Sequence, residues 1–202
     1  NEEKTIGKLL KVISKKWKVF VIDDKSKDQT FDIVKKFDIN LIQNESNIGY
    51  SRTIQKGIKK VKESGYRYAI TFDCDGEHQT KDIPEVARLL KKGNFLVVGS
   101  RNKKNRFVEI IVAFFTSLFL DIDDPFCGLK GYDLNHIDKN CDYLEKPMED
   151  VNTFIMMNFV KRKLRFCNFK IITGERSFNE NSRFGISILG EIKLLKSLRY
   201  WV

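Results

Sequence analysis

The sequence predicts an α/β fold, a mostly parallel central sheet flanked by helices. Two observations predict it. Across residues 1–101, short apolar runs alternate with stretches whose apolar residues recur every three or four positions. That alternation is the mark of successive β–α–β units, whose crossovers make neighbouring strands parallel. Charged residues also stand where three of the apolar runs stop, at Asp23-Asp24, Asp73-Cys74-Asp75 and Arg101. Parallel strands would carry all three to one edge of the sheet, where open α/β sheets hold their ligands. A chain of 202 residues can bury a core of its own, so a single domain, residues 1–202, is expected.

The elements follow in order. Ile6, Leu9, Leu10, Ile13 and Trp17 form one helical stripe, and residues 18–22 read as a strand. The polar run 23–30 leads into a helix expected to bury Phe31, Val34 and Phe37. Residues 40–43 are a short strand, and Asn47-Ile48-Gly49-Tyr50-Ser51 turns into a helix with Ile54, Ile58 and Val61 on one face, stopped by Gly65. Residues 68–72 are a strand running into the acids. Pro84 sits near a helix start, where its missing N–H costs little, with Val86, Leu89 and Leu90 on the apolar side. Residues 94–98 form a strand that ends in Gly99-Ser100-Arg101. The second half is less regular. Residues 107–120 predict a helix apolar nearly all round, 124–132 a turn and short strand, and 148–162 a helix with Val151, Phe154, Ile155 and Phe159 inward. A strand at 165–172, a polar stretch at 176–185 and an amphipathic helix at 185–201 complete the chain.

Composition narrows the partners. The net charge is +10, which suits anions, but the lysines are spread along the chain rather than blocked. No RNA-binding motif, zinc-finger spacing or basic heptad is present, so no nucleic-acid partner is expected. The four cysteines have no C-x-x-C spacing and read as reduced thiols. Neither a P-loop, a G-x-G-x-x-G fingerprint nor a G-x-S-x-G elbow occurs.

The chemistry concentrates at Asp73-Cys74-Asp75-Gly76-Glu77-His78. Two carboxylates one residue apart repel unless a cation lies between them. Oxygen-rich sites select hard ions such as Mg²⁺ or Mn²⁺, which complete their shell with phosphate oxygens and water. A solvated acidic turn is the simpler reading of such a pair. For Asp23-Asp24 the corresponding alternative is a helix N-cap region, and for Glu149-Asp150 a helix-terminal acid favoured by the macrodipole. His78 either lines the site or lies in a surface loop.

In order along the chain, these stretches resemble the motifs of family 2 glycosyltransferases of GT-A (Rossmann-like) fold, nearest the dolichyl-phosphate-mannose-synthase-like branch that acts on polyprenyl phosphates. Asn1-Glu2-Glu3 with Thr5-Ile6 resembles N-E-x-x-x-I, and Asp23-Asp24-Lys25-Ser26-Lys27-Asp28-Gln29-Thr30 resembles D-D-x-S-x-D-x-T. Asn47-Ile48-Gly49 with Gly57 is similar to N-x-G…G, and Asp73-Cys74-Asp75-Gly76-Glu77-His78 to D-A-D-x-Q-H. Gly99-Ser100-Arg101, Asp124 to Lys130, and Arg183-Phe184-Gly185-Ile186-Ser187 match G-S-R, D-x-x-x-G-F-R and R-x-G-x-S. The family's first strand precedes N-E, so a strand ahead of Asn1 is expected, while the membrane helices of some relatives are missing. Glu77 stands for Gln, Lys25 for Gly, and Leu129-Lys130 for Phe-Arg.

The resemblance implies a metal-dependent inverting transfer of a sugar from a UDP- or GDP-sugar to a polyprenyl phosphate or a glycan. It makes residues 1–101 the nucleotide-sugar half and 102–202 the acceptor half. Glu2 and Asp24 would contact the nucleoside, supported by Asp23. Asp73 would hold the nucleotide-sugar and share the metal with Asp75 and Glu77. Arg101 and Arg183 would bind phosphate, and Asp150, with Glu149, would supply a base. A nucleotidyltransferase and a non-catalytic anion-binding module are the rival readings. The expected location is cytoplasmic, with peripheral contact to the inner face of a membrane through the apolar 107–120 segment and the basic surface; a buried core helix is the rival reading of that segment.

Overall fold

A computed structural model of the protein describes residues 1–104, 106–137 and 150–174. Six strands and six helices are found there. They are α1 Ile6–Ile13, β1 Phe20–Asp23, α2 Thr30–Val34, β2 Asn40–Gln43, α3 Tyr50–Glu63, β3 Tyr68–Thr71, α4 Ile83–Lys91, β4 Leu96–Arg101, α5 Phe107–Leu120, β5 Lys130–Asp133, α6 Val151–Lys161 and β6 Phe166–Ile171. Each matches a segment expected from periodicity, most within a residue or two at either end. The expected helix at 185–201 lies outside the described residues, as do Glu149, Arg183 and Cys141.

The strands form two ladders. β1 and β2 pair in parallel, and a second sheet has the order β3-β5-β4-β6. In that sheet β4 runs parallel to β6, while β5 is antiparallel to both of its neighbours. Three of its four strands therefore point the same way, as expected, with β5 the reversed member. β4 is buried along all six residues, with Leu96, Val97 and Val98 at 0% exposure. Burying each such side chain stabilises by about 1.5–3 kcal/mol. One core cluster gathers Leu96, Val98, Tyr132, Ile155 and Phe159 beneath α3 and α6; another joins Val97 to Val86 and Leu90 of α4.

Two expectations need correction. Val34 is buried, but Phe31 is only half-buried, with Lys35 over its ring; Ile33 takes the place against Ile6 and Leu10 instead. Arg101 is not in a loop after its strand. It is the last residue of β4, because β6 continues to pair with β4 as far as Arg101–Ile171.

The sheet is open between β1 and β3. An apolar cleft of about 370 Å³ separates them, lined by Val21 and Ile22 of β1, Ala69 and Ile70 of β3, Leu10 of α1 and Ile58 of α3. Protein interiors leave few voids larger than a water molecule, so a cleft of this size is unusual beside a packed core. Asn1 stands beside the loop after β1, where its amino group donates to Ser26 Oγ and its Oδ1 accepts from Lys27 N.

Candidate active site

The loops after β1 and β3 meet at one rim, joined by the turn that opens α3. Asp23 is buried and accepts hydrogen bonds from Ser26 N and Gln43 Nε2. Asp24 accepts from Ile48 N and Gly49 N, each at 2.8 Å, and from Asn44 Nδ2 at 2.9 Å. Burial opposes its charge, but these donors, with Thr53, outweigh it and hold the carboxyl below the usual range. The next residue in the turn, Tyr50, donates its hydroxyl to Asp73 Oδ1 at 3.0 Å. Glu2 is tied to the same rim through its backbone N–H, which donates to Thr30 Oγ1. Glu2, Asp23, Asp24 and Asp73 are thus brought together by one set of loops.

The acidic turn is not extended. Gly76 has φ +86, a left-handed conformation that glycine adopts without strain, and Asp75 Oδ1 accepts from Glu77 N at 3.0 Å. The chain reverses there, so Glu77 points inward toward Arg101, at 3.4 Å, and is only 5% exposed. Asp73, Asp75 and Glu77 were expected as a metal trio; among the described residues no three metal-binding side chains converge. The remaining donors at the turn are Asp73, Asp75 and the imidazole of His78. His78 is buried, has no hydrogen-bond partner on either ring nitrogen among the described residues, and lies 3.7 Å from Asp73 Oδ2. Two carboxylates fit Mg²⁺ or Mn²⁺, because such ions commonly take one or two carboxylates and leave the rest of the shell to substrate phosphate.

Gly128 sets the position of Asp73. A Cβ built on Gly128 would lie 1.9 Å from Asp73 Oδ2, so no larger residue fits without moving that carboxylate. Gly128→Ala is therefore expected to weaken metal-dependent nucleotide binding about tenfold or more, at an overpacking cost of about 1–3 kcal/mol. Titration calorimetry and a melting curve on the same protein separate the two effects.

Arg101 is held among acids. It pairs with Asp124 through Nε and Nη2, at 2.7 and 3.0 Å, and with Glu109 at 3.1 Å. Arg101 and Asp124 are 7% and 0% exposed. Burial works against both charges, yet their mutual hydrogen bonds raise the pKa of Arg101 and lower that of Asp124. The guanidinium expected to bind phosphate is spent on these partners. Asp150 caps α6, accepting from Thr153 N and Thr153 Oγ1 at 3.2 and 2.9 Å, which is the helix-terminal alternative noted above.

Sequence reasoning missed the tyrosine network. Tyr132 donates to Asn152 Oδ1 at 3.1 Å, and Asn152 Nδ2 lies 3.3 Å from the Tyr50 hydroxyl on Asp73. No local pattern links these three residues, which come from β5, α6 and α3. Residues 172–174 strap the turn from outside. Gly174 N donates to Glu77 O, and Gln79 Nε2 donates to Ile172 O. Gly174, the last described residue, therefore lies against the acidic turn.

This sheet, with its carboxylates gathered at one rim, defines a GT-A-type α/β domain. The crystal structure of glucosyl-3-phosphoglycerate synthase from Mycobacterium tuberculosis, in complex with Mn²⁺, uridine-diphosphate-glucose and phosphoglyceric acid, superposes with a TM-score of 0.73 at 14% identity, covering 100% of this chain and 76% of that one. The chain belongs to Glycosyl transferase family 2, whose profile matches residues 1–113. An uncharacterized protein of Methanocaldococcus jannaschii is 34% identical over 152 residues, which is 64% of this chain and 66% of that protein. A UDP-N-acetylglucosamine–dolichyl-phosphate N-acetylglucosaminyltransferase of Methanococcus voltae is 32% identical over 103 residues, or 42% of this chain and 41% of that protein. The chain thus spans less than two thirds of the curated relatives it matches.

Proposed function

We propose that the protein transfers a sugar from a nucleoside-diphosphate sugar to a polyprenyl phosphate. One observation carries the reading: Asp24, Tyr50 and Asp73 are bound to one another through a single turn, at the rim to which the resemblance assigns the donor. Glu2 and Asp24 face the nucleoside, and Asp73 and Asp75 hold a divalent ion with the donor diphosphate. When bound, Mg²⁺ or Mn²⁺ neutralises charge on the departing diphosphate. Both are found with related folds: the mycobacterial synthase was solved with Mn²⁺ and with Mg²⁺.

The chain's own residues set the geometry. Tyr50 orients the Asp73 carboxylate, and Arg101 holds Glu77 and so the back of the turn. With Arg101 spent internally, Arg183 is the cation left for the phosphates among those the resemblance implies. Gly174, the last described residue, lies against Gly76: a Cβ built on it would lie 2.7 Å from Gly76 O. Asp150 is a helix cap, and a phosphate acceptor requires no base because it is already anionic. The dolichyl-phosphate transferase of Methanococcus voltae supports this acceptor class.

Calorimetry with UDP and GDP, with and without Mn²⁺, tests the donor site. Metal-dependent binding of one of them is expected. Binding of neither would overturn the reading and favour an anion-binding module.

A further inference from the structure

We propose that α5 docks the protein on an anionic lipid surface by its exposed face. The proposal deepens the acceptor reading above and rests on it for what the membrane presents. Phe107, Phe114, Leu118 and Phe119 are 73%, 64%, 62% and 72% exposed, and Ile110 and Phe115 are each 52% exposed. Their spacing of three or four residues puts them on one stripe of the helix. The opposite stripe, Glu109, Val112, Ala113 and Thr116, is buried against the domain. The helix was expected to be apolar nearly all round; the fold turns its larger apolar side outward.

A continuous aromatic stripe of this size marks a surface with a partner. Its chemistry selects lipid over protein. Protein interfaces carry roughly one hydrogen bond per 100–200 Å², and this face offers none. Ser117, the polar residue exposed there, turns its hydroxyl to Asp123 of its own chain. At 14 residues the helix is about 21 Å long, too short to cross a bilayer but suited to lie in its interface. Among the described residues no helix is long and apolar enough to span. Lys103 and Lys104 lead into the aromatic end, and the net charge of +10 favours anionic headgroups.

Docking would also fix the site. Glu109, on the inner stripe, bonds Arg101, which bonds Glu77 of the acidic turn. The helix that meets lipid is therefore held to the donor rim by a buried ionic chain.

The test is flotation of the full chain with vesicles of phosphatidylcholine alone and of equimolar phosphatidylcholine and phosphatidylglycerol. The protein is expected to float with the anionic vesicles, and Phe115→Ser/Phe119→Ser to lower the bound fraction roughly tenfold or more. Mn²⁺-dependent nucleotide binding by that variant should match the unaltered protein, since both side chains point away from the site. Absence of flotation, or flotation unchanged in the variant, overturns the proposal. So does a dimer, measured by light scattering, that the variant dissociates, because the face would then cover a second copy. Absence of flotation by the unaltered protein, with its nucleotide binding intact, strikes the membrane proposal alone. Absence of nucleotide binding with intact docking strikes the donor reading, and with it what the membrane presents.

Discussion

Asp75→Ala is expected to abolish metal-dependent nucleotide binding and to lower sugar transfer about a hundredfold or more, while leaving the melting temperature nearly unchanged. Asp75 is half-buried on the open turn and accepts a hydrogen bond from the backbone N–H of Glu77 two residues on. Losing that local hydrogen bond costs about 1 kcal/mol, whereas losing the carboxylate removes a donor of the proposed metal site. Removing one preorganised charge-stabilising group typically costs 10²–10³ in rate, in round terms. Glu77→Ala should behave differently. Glu77 faces Arg101, so the expected loss is of stability as much as of activity. Calorimetry with Mn²⁺ and UDP or GDP, set beside thermal melts of both variants, separates the two roles. Unchanged metal-dependent binding in Asp75→Ala would remove Asp75 from the metal site.

Arg101→Ala is expected to cost about 3–5 kcal/mol of stability, because it leaves Asp124 buried without its cation and Glu109 with Arg106 alone, 3.6 Å away. A residue used only to bind phosphate would show the opposite pattern, with lower nucleotide affinity and unchanged stability. Urea titration decides between them. The same pair carries a pH signature. Asp124 has its pKa lowered from 3.8: burial opposes the charge, but the hydrogen bonds and charge of Arg101 prevail. Its contribution is therefore fully present above the unfolded value and is lost as pH falls through the lower folded one. Stability should fall steeply below about pH 4 in the unaltered protein. In Asp124→Asn that acid limb should flatten, on a protein already less stable at neutral pH.

Most of the framework was legible from the chain. The strands at 40–43 and 68–72 and the helices around Ile54 and Val86 follow from a two-residue or 3.6-residue apolar period, which is a local property. The placement of Asp24 and Asp73 at strand ends was equally readable. The destination of Arg101 was not. Nothing near residue 101 announces that Asp124 and Glu109 will close on it, since those contacts form only when β4, α5 and the 121–129 loop pack together. The tyrosine network was hidden for the same reason, because its members are far apart in sequence.

The order of elements, the acid-bearing rim and the family can all be read from the chain alone. Each rests on periodicity or on motifs in register, and these survive without three-dimensional coordinates. The packed fold was needed to show that Glu77 turns inward, that Asp150 caps a helix and that α5 shows its aromatic side to solvent. Orientation of a side chain depends on what the fold packs against it, and hydrophobic burial acts on whole surfaces rather than on residues one at a time.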